Sequence, residues 1–278
     1  MKHRTLFRIL AWTALLQAGS LASEALAIVV APTAIYLRDG DPAEVIHLFN
    51  SSTEVEEVTV ETAFGYPATN DEGSLRLVYP DGEDDRSAAD WIQVLPRRIE
   101  VPPGERRALR ILARPPAGTP EGEYWTRLIL TSRGRKLPVE GAESPGIQVG
   151  LGLTVRTVIA LTYRHGKVTT GVTVAGLAPE IVGDSLVVRP DLRREGNGAY
   201  IGRMDVTLVD ARGETVRSWE EQVAVYRSYH RRYAYSVEGL APGEYRLHLR
   251  LGTDREDIAQ EDRLSTPPVE VSAPVVVP

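Results

Sequence analysis

The longest run of alternating apolar positions in the chain lies between Ile147 and Arg164. Ile147, Val149, Leu151, Leu153 and Val155 occupy successive odd positions, and Thr157, Ile159, Leu161 and Tyr163 continue the series. The even positions before Arg156 are Gln148, Gly150, Gly152 and Thr154. A period of two places one set of side chains on a single face of a β-strand, whereas a helix would scatter it. At roughly 3.3 Å per residue an unbroken strand would run about 55–60 Å, far beyond the usual length of about 5–6 residues. A strand of that length leads out of one sheet toward a second domain. Its odd face either fills the core of its own domain or is offered in part to another protein.

Shorter alternating runs fill the rest of the chain, and none has helical spacing. Strands are expected over 29–37, 44–49, 55–64, 91–95, 98–101, 107–113 and 124–132, separated by turn-forming Asp, Asn, Pro and Gly. Residues 67–90 form a long polar loop with a short edge strand at 75–78. After 166 the pattern predicts strands over 168–174, 185–190, 202–210, 215–225, 229–237, 244–251 and 268–277, with Asp210-Ala211-Arg212-Gly213 as a hairpin turn. One motif occurs twice. Pro120-Glu121-Gly122-Glu123-Tyr124 and Pro242-Gly243-Glu244-Tyr245 each put a tyrosine just after a turn and ahead of an apolar strand. This is the pattern of a tyrosine corner near the start of a penultimate strand. The fold class is all-β: two immunoglobulin-like β-sandwich domains in tandem, over 28–165 and 166–278, preceded by a signal peptide over 1–27.

The N-terminus carries that export signal. Lys2, Arg4 and Arg8 precede an apolar run over 9–22, and Ala25-Leu26-Ala27 fits a small-x-small cleavage site. The apolar run is shorter than the roughly 20 residues a membrane span needs. Cleavage would leave 278 − 27 = 251 residues starting at Ile28 and, after loss of three cations and Glu24, a net charge of −6 − 2 = −8. An acidic exported chain is poorly suited to nucleic acid, and no later segment calls for stable membrane insertion. The absence of cysteine removes disulfides, thiol catalysis and thiolate metal sites, so the domains must hold on their cores alone.

Several blocks together resemble the periplasmic pilus-assembly chaperones of the chaperone–usher pathway. They are Ala89-Asp90-Trp91-Ile92-Gln93-Val94-Leu95-Pro96-Arg97-Arg98, Val101-Pro102-Pro103-Gly104-Glu105-Arg106-Arg107, Arg114-Pro115-Pro116-Ala117-Gly118, Gly122-Glu123-Tyr124-Trp125 and the run from Val155 to Gly166. The resemblance covers most of 28–166; beyond that it rests on the order of a second sandwich. It implies a periplasmic chaperone whose last domain-1 strand lends alternating apolar side chains to an incomplete pilus or fimbrial subunit, for assembly at an outer-membrane usher. Ile147, Val149, Leu151, Leu153 and Val155 would be the subunit-binding residues. Family members commonly hold the subunit's terminal carboxylate with a basic residue on the first strand and another on the last. Here the first strand has neither Lys nor Arg, with Thr33 near the relevant place, and Arg156 and Arg164 are the candidates on the long strand. The alternative is an exported structural or adhesive protein of two such modules with no client.

Enzyme chemistry finds little support. His3, His47, His165, His230 and His248 show no metal-ligand spacing. The acidic stretch Asp81, Glu83, Asp84, Asp85 lacks the alternation and closing Glu of a calcium loop. Gly150-Leu151-Gly152 lies inside a strand pattern and opens no helix, so it is not a dinucleotide fingerprint. Asn50-Ser51-Ser52 is a formal glycosylation acceptor. Arg227, Arg231 and Arg232, interleaved with Tyr226, Tyr229 and Tyr233, could line a protein-binding face. The reading is a non-enzyme without metal or cofactor.

Overall fold

The computed structural model describes residues 28–82, 84–134, 137–138, 150–151 and 153–278. The expected export segment, Ile147 and Val149 lie outside these residues. The first half builds thirteen strands: β1 (Ile28–Ala31), β2 (Ala34–Arg38), β3 (Ala43–Asn50), β4 (Glu56–Ala63), β5 (Tyr66–Thr69), β6 (Leu75–Val78), β7 (Ile92–Leu95), β8 (Arg98–Val101), β9 (Arg106–Ala113), β10 (Gly122–Arg133), β11 (Leu137–Pro138), β12 (Gly150–Leu151) and β13 (Thr154–His165). One sheet has the order β1-β3-β9-β7 and the facing sheet β2-β13-β10-β4-β8. Between them lies a core that includes Ile35, Leu37, Ile46, Leu48, Leu109, Ile111, Leu128, Ile159 and Leu161, each almost wholly withdrawn from solvent. Two stacked sheets with alternating inward side chains let these short strands bury one apolar face each in a common core.

The second half repeats the design with β14 (Thr170–Gly176), β15 (Glu180–Val182), β16 (Ser185–Val188), β17 (Asp191–Gly196), β18 (Tyr200–Val209), β19 (Thr215–Val225), β20 (Ser228–Tyr229), β21 (Tyr233–Ser236), β22 (Gly243–Gly252) and β23 (Val269–Val277). The sheet β19-β18-β22-β23 faces two three-stranded sheets, β14-β17-β20 and β15-β16-β21. Its core is separate, built on Leu186, Val188, Leu192, Tyr200, Met204, Val206, Leu208, Leu247, Leu249 and Leu251. The two halves are therefore two immunoglobulin-like sandwiches.

Three departures from the pattern reading have local causes. The expected first strand is two strands in different sheets: Pro32, which has no N–H to donate, lies between β1 in one sheet and β2 in the other. The edge strand expected at 75–78 is present as β6, but it is half of a hairpin that the polar stretch was not expected to hold: β5 pairs with it in register from Tyr66–Val78 to Thr69–Leu75. The long strand is interrupted within the described residues: β12 pairs with β11, Leu153 belongs to no strand, and only β13 joins the main sheet.

Both tyrosine corners close, but not equally. The Tyr124 hydroxyl donates to the Pro120 carbonyl at 2.6 Å, and its ring is buried against Trp91 at 4.6 Å between centroids. Tyr245 donates to the Ala241 carbonyl at 2.8 Å but is only half-buried. A stranded acceptor costs most where water cannot replace the donor. Tyr124→Phe should therefore cost about 1–2 kcal/mol and Tyr245→Phe under about 1 kcal/mol in urea unfolding. Equal losses in the two variants would contradict this account.

Candidate functional site

The exposed part of the last domain-1 strand is the first element of the site. β13 runs antiparallel to β10, with Val155 opposite Ser132, Thr157 opposite Leu130 and Ile159 opposite Leu128. Odd residues of β13 and even residues of β10 thus share the core face. Along that row exposure changes steadily: Leu153 is 52% exposed, Val155 and Thr157 are intermediate, and Ile159, Leu161 and Tyr163 are buried. Backbone pairing changes at the same place. β2 runs parallel to β13 only from Ala34–Ala160 to Arg38–Arg164. Among the described residues, 154–159 have no strand on their outer side, so this stretch is a sheet edge with an apolar row opening toward solvent. Leu151 lies in β12, beyond that edge.

The second element is the junction between the sandwiches. β10 is buried along almost its whole length, on both faces. Its even residues face the domain-1 core, while Glu123, Trp125 and Arg127 face domain 2. Trp125 meets Tyr226 edge-on with centroids 4.8 Å apart, and Tyr66 from β5 stacks on Tyr226 at 6.0 Å. Guanidinium groups cover this aromatic cluster: Arg127 over Tyr226, Arg194 over Trp125 and Arg227 over Tyr66, each 5.4–5.7 Å from the ring centre. Burial and the neighbouring Arg86 and Arg227 charges lower the Arg194 pKa.

Beside the cluster, Glu123 is almost fully buried and fully partnered. One carboxylate oxygen accepts from Trp125 Nε1 at 2.8 Å and the Ala199 N–H at 3.1 Å; the other accepts from Arg164 Nε at 3.0 Å. Arg164 also donates to the Asp262 carbonyl at 2.7 Å and lies 4.9 Å over the Tyr36 ring. Burial pushes the Tyr36 hydroxyl up to about 12. Arg38 pairs with Asp262, and Asn197 bridges the linker through Glu121, Lys167 and Thr169. At Gly166, φ is +60° and a Cβ would meet the Glu121 side chain at 2.5 Å, so the crossing point favours glycine on both counts.

Between the first strand and the domain-2 loop at 255–262 lies an open cleft of roughly 600 Å³. Its cations, Arg38 and Arg255, already pair with Asp262 and Asp257, and Asp41, Glu44 and Glu261 also line it. Of the two expected basic residues, Arg164 is committed to the junction. Arg156 is exposed, and its side chain has no hydrogen bond or ion pair among the described residues. No basic side chain of β2 replaces the missing first-strand cation except Arg38 at its end, which Asp262 engages.

The other singled-out residues find structural uses. The Asn50 amide is buried and donates to the Glu54 and Val101 carbonyls at 2.7 Å, which closes the formal glycosylation site in the folded chain. Arg227 pairs with Asp84 at 2.6 Å, the Arg232 N–H donates to the Gly73 carbonyl at 2.9 Å, and the Tyr229 and Tyr233 hydroxyls meet at 2.5 Å. That arginine–tyrosine group therefore serves the domain junction and the domain-2 core. His165 Nδ1 lies 2.7 Å from Asp39, and His230 Nδ1 lies 3.4 Å from Asp191. Among the described residues no group of three or more His or acidic side chains is arranged to hold a metal, and no helix is long and apolar enough to cross a membrane. The junction itself was missed in the sequence. Its signals were the bulk of Trp125 among the charges of β10 and the arginine–tyrosine group at 226–233, part of which packs there.

No protein-family model matches the sequence, and no curated protein matches it. Similar solved structures exist. One is described as the SafA pilin of Salmonella enterica in complex with the SafB chaperone, at 14% identity over 90% of this chain and 98% of that one, TM-score 0.41. Another is a CsuC–CsuE chaperone–tip subunit pre-assembly complex from Acinetobacter baumannii, at 10% identity over 88% and 97%, TM-score 0.41. A third is the CupB2 chaperone of Pseudomonas aeruginosa, at 12% identity over 90% and 100%, TM-score 0.39.

Two outcomes test the junction. Glu123→Ala would leave Arg164 Nε and two N–H donors without their acceptor and should cost about 3–5 kcal/mol in denaturant unfolding. Glu123→Gln keeps an oxygen for Trp125 and Ala199 and should cost less; equal losses would show that the charge pairing is unimportant. The second concerns pH. The Gly166 N–H first, and then His165, hold the Asp39 carboxyl below its ordinary value of 3.8. A depressed folded pKa stabilises above the unfolded value and the contribution disappears as pH falls through the folded one. The stability gap between the parent and Asp39→Asn should shrink as pH drops below about 4 in a series of thermal melts; a gap that widens there would refute the assignment.

Proposed function

We propose that the chain is a periplasmic chaperone that captures pilus- or fimbrial-type subunits by strand addition along the outer edge of β13, for delivery to an outer-membrane usher. The observation that carries this reading is the coincidence, at the same residues, of an unpaired backbone edge and an apolar row that leaves its own core. Ladder bonds to residues 154–159 supply affinity, and Leu153 and Val155 enter the client. Burying the two could contribute about 1.5–3 kcal/mol each. The expected row begins further back, and in this reading Ile147, Val149 and Leu151 extend it toward the client's far end. Arg156, exposed on the even side, is the residue available for a client carboxylate; Arg164 already satisfies Glu123.

The test separates folding from capture. Val155→Asp puts a charge where a client side chain would pack, at a cost of several kcal/mol on burial. It should leave unfolding free energy within about 1 kcal/mol of the parent while co-purification of a co-expressed fimbrial-type subunit is lost. Ile159→Asp, four residues along the same face, should unfold domain 1. Undiminished capture by a folded Val155→Asp protein would overturn the proposal and favour a structural module without a client.

A further inference from the structure

The hairpin β5–β6 presents a second apolar row on a second free edge. It leaves the main sheet at Ala63 and is fastened to domain 2: the Arg232 N–H donates to Gly73 O at 2.9 Å and the His230 N–H to Thr69 Oγ1 at 2.8 Å. Gly73 has φ +80°, and a Cβ there would lie 2.7 Å from Arg232, so the tip sits flush on its dock. The inner face of the hairpin, led by Tyr66, enters the aromatic cluster. The outer face does not enter any core. Leu75, Leu77 and Tyr79 alternate along it with exposures of 43%, 38% and 41%. β6 pairs only with β5 among the described residues, so its other edge is unpaired.

Charge indicates what could lie there. The row runs between two acidic ends, Asp71 and Glu72 at the tip and Asp81 beyond Tyr79; all are exposed, and none forms an ion pair among the described residues. A second copy of this hairpin paired antiparallel would set Asp71 and Glu72 against the copy's Asp81. Paired parallel, it would set each acidic end against itself. Like charges directly opposed across strands are destabilising, so self-pairing is disfavoured. We propose that the β6 edge docks an extended segment of another protein that carries apolar residues at alternate positions and Lys or Arg at both ends. The edge lies at the domain-2 end of the main sheet, while 154–159 of β13 pair with β10 at the opposite end. Both surfaces can be occupied together, and this docking role does not depend on the chaperone reading.

The probe is a nine-residue peptide of alternating valine and threonine with lysine at both ends, and its counterpart with glutamate at both ends. Titrated by fluorescence anisotropy into the purified protein, the lysine peptide should bind at least about tenfold more tightly, with added salt narrowing the gap. Leu75→Thr/Leu77→Thr keeps strand propensity, should remove binding, and should leave subunit capture unchanged. Val155→Asp should leave peptide binding unchanged. Asp71→Lys/Glu72→Lys/Asp81→Lys should reverse the preference toward the glutamate peptide. No binding of either peptide, equal binding of both, or binding lost in Val155→Asp but kept in Leu75→Thr/Leu77→Thr would overturn the proposal. So would a dimer in sedimentation that dissociates in Leu75→Thr/Leu77→Thr, which would assign the edge to a second copy.

Discussion

Everything in this molecule hangs on a strand that is buried on both faces. β10 sends Tyr124, Leu128 and Leu130 into the domain-1 core and Glu123, Trp125 and Arg127 into domain 2. A strand so placed cannot rotate or slide without emptying one side or the other, because a one-residue shift exchanges the two faces. It also carries β13 as its neighbour. β2 pairs with β13 only over its last residues, from Ala160 to Arg164. The stretch 154–159 remains at the edge because β2 reaches no further than Ala160.

The buried carboxylate sets a second condition. Withdrawing Glu123 from water is tolerable only because three donors reach it, one of them the Arg164 guanidinium. That use of Arg164 removes a cation that would otherwise be available at the cleft. Arg38 and Arg255 are likewise paired within the molecule. The cleft between the domains is consequently lined by more acids than unpaired cations, and it is poorly suited to attract a carboxylate. What the exposed part of β13 itself presents is an open backbone edge, an apolar row and Arg156 as its remaining unpaired cation.

Much of the architecture was legible in residue periodicity. The odd row through Tyr163 and the paired Pro-to-Tyr motifs fixed the strand type and the corners because both are local patterns. The domain junction was not legible for the opposite reason. Glu123, Trp125 and Arg127 alternate with apolar neighbours, and only a second domain arriving from more than 70 residues later, at Ala199 and Tyr226, buries them. The β6 strand was expected at 75–78, but its pairing with β5 was hidden similarly. Leu75 and Leu77 sit among Ser, Arg, Gly and acidic residues, and without the dock at Gly73 and Arg232 the segment has too little apolar content to define a strand pair. The split of the first strand had a visible cause in Pro32, but a proline alone does not say whether the chain ends a strand or changes sheets.

The way the chain treats its sheet edges connects these points. Open edges invite unwanted pairing, and proteins blunt them with charge, proline or short length. β8 closes one edge of the main sheet with exposed Arg98 and Glu100, and β23 carries Glu270 and Pro274 along the edge of domain 2. The 154–159 stretch and β6 are treated differently. Each keeps an apolar row beside its open backbone, and each places charge beside or at the end of the row: Arg156 on the even side of β13, and Asp71, Glu72 and Asp81 at the ends of β6. Charge in those positions leaves the strand free to pair while penalising partners with the wrong ends. A cysteine-free chain has no disulfide to hold an edge in place, so electrostatics and register are what discriminate among strands that could pair with it. The charge beside the two edges therefore differs, with Arg156 on β13 and Asp71, Glu72 and Asp81 at the ends of β6, so the two edges do not favour the same partner ends.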